Sequence, residues 1–196
     1  PDEKLSIFLS ALDGFAGEGY RIIGLDHFAR PGDELARAVD EGRLHRNFQG
    51  YSARAGLEVL AFGASGISQL RHGFAQNVRD SERYRAAIAR GRSPVVRGLR
   101  TSDDDRLRGD AIEQLMCNLR LDIQALERTH GVSFDETFPA VREVLADLEA
   151  DGAVEWEPGA LRITELGRLL MRNVAMAFDA YLPPDGDDGP GFSRTV

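Results

Sequence analysis

The side chains of this 196-residue chain that could do chemistry gather in three stretches. Asp26-His27 sets a carboxylate beside an imidazole, the composition of a general base with its orienting partner. Neighbours in sequence rarely face each other, so the expectation is a capping Asp beside a surface His. Leu44-His45-Arg46-Asn47-Phe48-Gln49-Gly50-Tyr51-Ser52 mixes aromatic rings, an amide and cations with no apolar period. That mixture suits an adenine-like ligand, with a ring to pack on the base and amide or backbone groups to hydrogen-bond its edge. An ordered surface loop has the same composition. Gly63-Ala64-Ser65-Gly66-Ile67 marks a tight strand-to-helix turn or a close backbone approach. Ser65 has a Gly two residues before it but none two after, so the G-x-S-x-G nucleophile elbow is not met.

The remaining reactive residue types stand alone. His45, His72 and His130 have no partner at metal-ligand spacing, and solvated or hydrogen-bonded roles are expected for them. Cys117 is the single cysteine. It permits no intrachain disulfide, no Cys-only metal site and no iron–sulfur site from this chain alone, and it reads as a structural thiol. No catalytic or metal-ligating residue is assigned from spacing.

Net charge is −8, from 24 bases and 32 acids, which argues against a nucleic-acid partner because phosphate neutralisation needs a surplus of cations. The charge is uneven. Residues 1–100 hold 15 bases and 12 acids, and residues 101–182 hold 8 bases and 17 acids. The first half could face an anionic ligand; the second is an acidic module. Lys4 is the only lysine. Arginine suits bidentate recognition of carboxylates, although a codon-composition bias toward Arg is the simpler account of the excess. No apolar run approaches the roughly 20 residues of a membrane span, no membrane partner is expected, and the start Pro1-Asp2-Glu3-Lys4 carries no signal-like stretch. The chain reads as cytoplasmic and as a piece of something longer.

The elements that must position these residues follow from periodicity. Leu5, Phe8, Leu9, Leu12 and Phe15 predict a helix over 3–18. Tyr20 to Leu25 and Leu57 to Ala64 read as buried strands, and helix–strand alternation is α/β grammar. If those strands are parallel, function sits just past their C-terminal ends, at Asp26-His27 and Gly63–Ile67. Asp26–Asp33 and Arg43–Arg54 read as loops, Asp33–Glu41 and Asp80–Arg90 as helices, and Val95–Leu99 as a strand or extended connector. Thr101 to Asp105 supplies cap residues and acids for a helix whose stripe is Ile112, Leu115, Met116 and Leu119. Ser133 and Glu136 fit a capping box before a helical face of Phe138, Val141, Leu145 and Leu148. A hairpin around Pro158-Gly159 and a helix from about Glu165 to Leu182 complete a winged-helix-like module. Its strong acidity favours a protein-facing role over a DNA wing.

Several strings together resemble a known family. Gly24-Leu25-Asp26-His27-Phe28-Ala29-Arg30-Pro31, His45-Arg46-Asn47-Phe48-Gln49-Gly50-Tyr51, Gly63 to Ser68, Phe74-Ala75-Gln76-Asn77, Leu115-Met116-Cys117-Asn118, Gly167 to Asn173 and Phe178 to Leu182 occur in the order found in oxygen-independent coproporphyrinogen III oxidases. The resemblance runs from about residue 4 to 182. Radical-SAM-like haem chaperones share the architecture, but there an Asn-Tyr-Trp-like string would replace Asn47-Phe48-Gln49-Gly50-Tyr51. A non-catalytic winged-helix-like interaction module is the alternative from a different class.

The resemblance implies a radical SAM enzyme of porphyrin and haem biosynthesis. A [4Fe–4S] cluster on a C-x3-C-x2-C motif cleaves S-adenosylmethionine, and the 5′-deoxyadenosyl radical takes a hydrogen from a propionate of coproporphyrinogen III. Loss of CO2 and one electron leaves a vinyl group, and two rounds give protoporphyrinogen IX. It implies two S-adenosylmethionine molecules per parent enzyme, with Phe48, Gln49 and Ile67 touching the second, and an electron donor as partner. Arg30, Arg46, Arg54 and Arg71 lie near the predicted loops, and Arg30 and Arg46 are the candidate clamps for substrate carboxylates. The cluster motif has no counterpart in a chain with one cysteine. The fold class implied is therefore α/β: residues 1–100 as the last strands and helices of a partial TIM-type radical SAM barrel, 101–182 as a mostly helical, winged-helix-like domain with a small hairpin, and 183–196 as a flexible tail. Such a fragment is expected to be inactive alone and prone to self-association through open sheet edges. Departures from the family pattern are Ala61 and Gly66, where Gly and Ala are expected, and Phe74 in place of Tyr.

Overall fold

A computed structural model describes residues 2–182, and the expectation for 183–196 lies outside the described residues. Helix α1 (Asp2–Gly17) forms as its periodicity predicts. Much of its apolar stripe, including Leu5, Leu9 and Phe15, is exposed. Phe15 nevertheless stacks on Phe28 at 4.4 Å and meets Tyr20 edge-on.

The predicted strand at Tyr20–Leu25 shrinks to β1 (Arg21–Ile22), which pairs antiparallel with β2 (Phe28–Ala29). The intervening residues are a tight reversal closed by the Ile23 N–H on the His27 carbonyl at 2.8 Å. The predicted loop at Asp26–Asp33 thus contains a strand. Helix α2 (Glu34–Asp40) starts where Asp33 caps the Leu35 N–H at 2.8 Å. The predicted Arg43–Arg54 loop is instead a hairpin, β3 (His45–Asn47) against β4 (Gly50–Ser52). Its polar side chains hid the period of two, because neither face of the pair is fully buried. Ile23, Ala29, Ala36, Ala38 and Leu44 form a small core with Cys117.

The predicted buried strand at Leu57–Ala64 does not form. Only Val59 bridges to Gln69, and Leu57, Leu60 and Phe62 are exposed, Phe62 at 89%. Its apolar run has no covering layer among the described residues. The turn that follows leads into a strand, not a helix: β5 (Ile67–Leu70), β6 (Gly73–Asn77) and β7 (Val95–Arg100) make an antiparallel sheet in that order. Helix α3 (Ser81–Ala89), capped by Asp80, links β6 to β7. All the strand pairings among the described residues are antiparallel and belong to open sheets of two or three strands, so these strands form neither a parallel sheet nor a closed barrel.

Helix α4 (Asp103–Asn118) opens with a reciprocal cap. Ser102 Oγ accepts the Asp105 N–H at 3.1 Å, and Asp105 accepts the Ser102 N–H at 2.8 Å. The helix ends at Leu119 in the left-handed region (φ 54°). That stop, made without glycine, frees β8 (Arg120–Asp122), a strand absent from the sequence reading. It joins β10 (Ala160–Ile163) and β9 (Val154–Glu157) in the order β8-β10-β9, with Leu161 opposite both Leu121 and Trp156. Helices α5 (Ile123–His130), α6 (Phe134–Thr137), α7 (Val141–Val144) and α8 (Ala146–Ala150) precede the hairpin. The Ser133–Glu136 capping box does not form; Glu127 takes the Phe134 N–H instead, at 2.8 Å. The predicted last helix is shorter, a 3-10 turn at Gly167–Leu170 followed by α9 (Met171–Met176).

Leu107, Leu115, Leu121, Leu145, Leu161, Met171 and Phe178 are among the residues of the main core. Helix α4 carries Leu115 into this core and Cys117 into the smaller one, so it packs against both. No described helix is long and apolar enough to cross a membrane.

Candidate functional site

The site grows from the β3–β4 hairpin. Its turn presents Phe48 and Gln49, and the Phe48 ring is 58% exposed. Asn47 shapes the turn by accepting the Gln49 N–H at 2.8 Å. The Phe48 ring meets Phe74 of β6 edge-on, with centroids 5.4 Å apart. Phe74 lies opposite Gln69 on β5, and Gln76 lies opposite Ile67. Directly opposed residues share a face, so Ile67, Gln69, Phe74 and Gln76 line one side of the sheet. The structure therefore brings the Phe48–Gln49 turn to the sheet face that carries Ile67.

The loop from 61 to 66 is held against the start of this sheet. Asn77, buried at the end of β6, donates to the Ala61 and Gly63 carbonyls at 3.3 and 2.9 Å. Tyr84 of α3 accepts the Gly63 N–H at 2.9 Å. Gly63 (φ 95°) and Ser65 (φ 60°) both adopt the left-handed region. A side chain at Gly66 would press on Ala61 and on the carbonyls of Phe62 and Gly63, at 3.2 to 3.3 Å. The glycine at this position is thus matched to the loop that passes over it.

The base of the hairpin is fixed by polar groups. The Tyr51 hydroxyl accepts the Leu25 N–H at 3.2 Å and an Arg46 Nη1–H at 3.1 Å. The Arg46 guanidinium also lies over the Tyr51 ring, 5.0 Å from its centroid. Glu113 on α4 accepts the Arg46 N–H at 3.0 Å and sits 3.3 Å from His45 Nδ1. Asn118 accepts the Leu44 N–H and donates to the Leu44 carbonyl, both at 3.2 Å.

Asp26 and His27 do face each other. The reversal between β1 and β2 turns the carboxylate onto His27 Nδ1 at 2.8 Å, and the imidazole meets the Tyr51 ring edge-on at 4.9 Å. His27 lies at the surface as expected, but the expectation that the two neighbours do not face each other is overturned by that reversal.

A cleft of about 820 Å³ opens between the β5–β6–β7 sheet and α4. Arg46, Arg71, Phe74, Leu99, Ile112 and Glu113 are among its walls. Of the sequence-derived arginines it gathers Arg46 and Arg71. Arg30 is not on its lining; it lies over the Tyr20 ring at 5.4 Å. Arg106 and Arg108, on α4, also reach the cleft, and the sequence reading did not single them out. Arg108 is committed to Asp104 at 2.8 Å and to the Phe178 carbonyl at 3.1 Å.

Cys117 is buried, and burial together with the nearby Glu113 carboxylate pushes its thiol up to about 12. Among the described residues no three His, Cys, Asp or Glu side chains converge as a metal site. The donors present here do not fit a four-iron cluster. Phe48 and Gln49 do fit an adenine-bearing ligand, because the ring is exposed and the Gln49 amide has no hydrogen-bond partner among the described residues.

Comparison with known proteins places these features. Residues 101–170 match the HemN C-terminal domain. The chain is 42% identical over 180 residues to the oxygen-independent coproporphyrinogen III oxidase of Salmonella typhimurium, covering 92% of this chain and 39% of that protein. It is 38% identical over 194 residues to the protein of that name from Thermostichus vulcanus, covering 98% of this chain and 59% of that protein. Among solved structures it superposes with a TM-score of 0.86 and 40% identity on coproporphyrinogen III oxidase (HemN) from Escherichia coli, described as a radical SAM enzyme. That match covers 93% of this chain and 42% of the other. The chain thus spans about two fifths of the length of the first of these relatives.

Proposed function

We propose that this chain belongs to the family of oxygen-independent coproporphyrinogen III oxidases and is the C-terminal part of a longer radical SAM enzyme of haem biosynthesis. The reaction is the oxidative decarboxylation of two propionates of coproporphyrinogen III to vinyl groups, giving protoporphyrinogen IX. The observation that carries this reading is a superposition of TM-score 0.86 at 40% identity over nearly the whole chain. On this reading residues 1–100 are the last elements of an incomplete barrel, and residues 101–182 are a separate helical domain with a winged-helix-like hairpin. The setting is the cytoplasm.

The [4Fe–4S] cluster is assigned to the part of the protein outside this chain, since the single buried thiol cannot replace three ligands. S-adenosylmethionine, when bound with that cluster, supplies one-electron chemistry that removes hydrogen from a propionate side chain. An electron donor completes the reaction. This chain supplies binding. The exposed Phe48 ring and the Gln49 amide, with Ile67 on the neighbouring sheet face, would hold the second S-adenosylmethionine, the ring suiting its adenine. Arg46 is the better placed of the two candidate carboxylate clamps, because it lines the cleft and Arg30 does not.

Anaerobic assay of the full-length, cluster-loaded protein with S-adenosylmethionine and a reductant tests the reading. Protoporphyrinogen formation is expected, and Phe48→Ala is expected to raise the KM for S-adenosylmethionine. The 196-residue chain alone is expected to be inactive and colourless. Haem binding without turnover by the full-length protein, or an iron-dependent absorbance band in this chain after reconstitution, overturns the respective part.

A further inference from the structure

We infer that Glu113 and Asn118 of α4 are positioning residues for the Phe48–Gln49 turn, so that the HemN C-terminal domain sets the pose of a cofactor-binding hairpin. The inference rests on the reading that Phe48 and Gln49 hold S-adenosylmethionine.

The hairpin cannot hold its own pose. β3 and β4 pair with each other and with no third strand among the described residues. Two-stranded ribbons are marginal without support, so the anchors at the base decide where the tip points. Leu44 is wholly buried and enters β3 from the small core. Its N–H and C=O are both taken by the one amide of Asn118, as a neighbouring strand would take them. Two residues on, the Arg46 N–H goes to Glu113, which also stands beside His45. Thus the side of β3 away from β4 is paired with two side chains of one helix. β4 is held separately, through Tyr51 on the Leu25 N–H. The tip itself meets only the Phe74 ring in aromatic contact.

The two anchors need different chemistry. Glu113 acts as an acceptor, and a glutamine keeps an acceptor for the Arg46 N–H. Asn118 must both accept and donate; an aspartate there cannot donate to the Leu44 carbonyl and sets a negative charge against it. The expected ranking is therefore Glu113→Gln close to the parent, and Glu113→Ala and Asn118→Asp impaired.

The test uses the full-length, cluster-loaded protein. Glu113→Ala and Asn118→Asp are expected to raise the KM for S-adenosylmethionine about tenfold. Glu113→Gln is expected within about twofold of the parent. Hydrogen exchange provides a readout independent of activity. Amides of residues 44–52 lose protection in the two impaired variants, while those of β8, β9 and β10 keep theirs, which also establishes that the variants fold. Unchanged protection in the hairpin, or an unchanged KM for S-adenosylmethionine in both impaired variants, overturns the inference. If Phe48→Ala leaves the S-adenosylmethionine KM untouched in an active parent, the cofactor assignment fails. The exchange pattern then still decides whether α4 holds the hairpin.

Discussion

The Tyr51 ring occupies the space that a side chain at Gly24 would need. A Cβ built on Gly24 overlaps both the ring and the hydroxyl. The glycine is there to admit the tyrosine, and through the tyrosine it seats Arg46 and the Leu25 N–H. Gly24→Ala should therefore cost about 1–3 kcal/mol of stability by overpacking. Tyr51→Phe, which keeps the ring and drops the acceptor for the Leu25 N–H, should cost about 1 kcal/mol. In a double-mutant cycle with Tyr51→Ala, the Gly24→Ala penalty should largely vanish. A penalty that persists in the Tyr51→Ala background refutes the coupling.

Two glycines should respond with opposite sign to the same substitution. A Cβ on Gly167 falls on the Ala153 carbonyl, which is backbone and accepts the Thr164 N–H at 3.0 Å, so nothing flexible can yield. Gly167→Ala is expected to lower stability by at least about 1–3 kcal/mol. A Cβ on Gly109, inside α4, meets nothing within 4 Å. Gly109→Ala should stabilise by about 0.5–1 kcal/mol. Urea denaturation of both variants measures the pair, and the same sign for both contradicts the contact geometry.

Acid stability should depend on Asp105. Its carboxyl is held below the usual aspartate value of 3.8, first by the Tyr181 hydroxyl at 2.6 Å and then by Ser102. A carboxyl depressed in the folded state contributes stability that is complete above its ordinary value. That stability is lost as pH falls through the lower, folded value. Tyr181→Phe removes the largest cause. Its unfolding free energy should change less than the parent's between about pH 5 and about pH 2. Identical acid limbs in chemical denaturation would exclude the pairing.

Thiol chemistry gives a direct check on the interior of α4. Cys117 is buried with its thiol at about 12, so very little thiolate exists near neutral pH. Maleimide labelling at about pH 8 should be negligible in the native protein and rapid in denaturant, where the thiol returns to about 8.5. Fast native labelling would place Cys117 at the surface instead of in the smaller core.

Legibility from sequence followed how local each feature is. The starts of α2, α3 and α4 were readable because Asp33, Asp80 and Ser102 act within a few residues of themselves. The hairpin around Pro158-Gly159 was readable for the same reason. The strand at Leu57–Ala64 was misread because its composition is that of a buried strand, and burial depends on a layer that composition cannot supply. β8 was missed because its helix stop is a leucine in the left-handed region, a conformation that sequence normally signals with glycine. Within the site, Phe48, Gln49 and Ile67 came from resemblance, and the sheet register explains how they come to share one neighbourhood. Glu113 and Asn118 gave no local signal, since each acts on a segment about 70 residues away. Asn118 stood inside the string Leu115-Met116-Cys117-Asn118, the one available hint.

β7 forms the outer border of its sheet, with all six residues exposed and Val95, Val96 and Leu99 among them. A ribbon finished on one side only is a template: the next extended segment to arrive can zip onto it regardless of its origin. Anyone concentrating this polypeptide is therefore working with an open sheet border. A charged or proline replacement on that rim, such as Val96→Lys or Val96→Pro, is the rational first step toward a well-behaved sample.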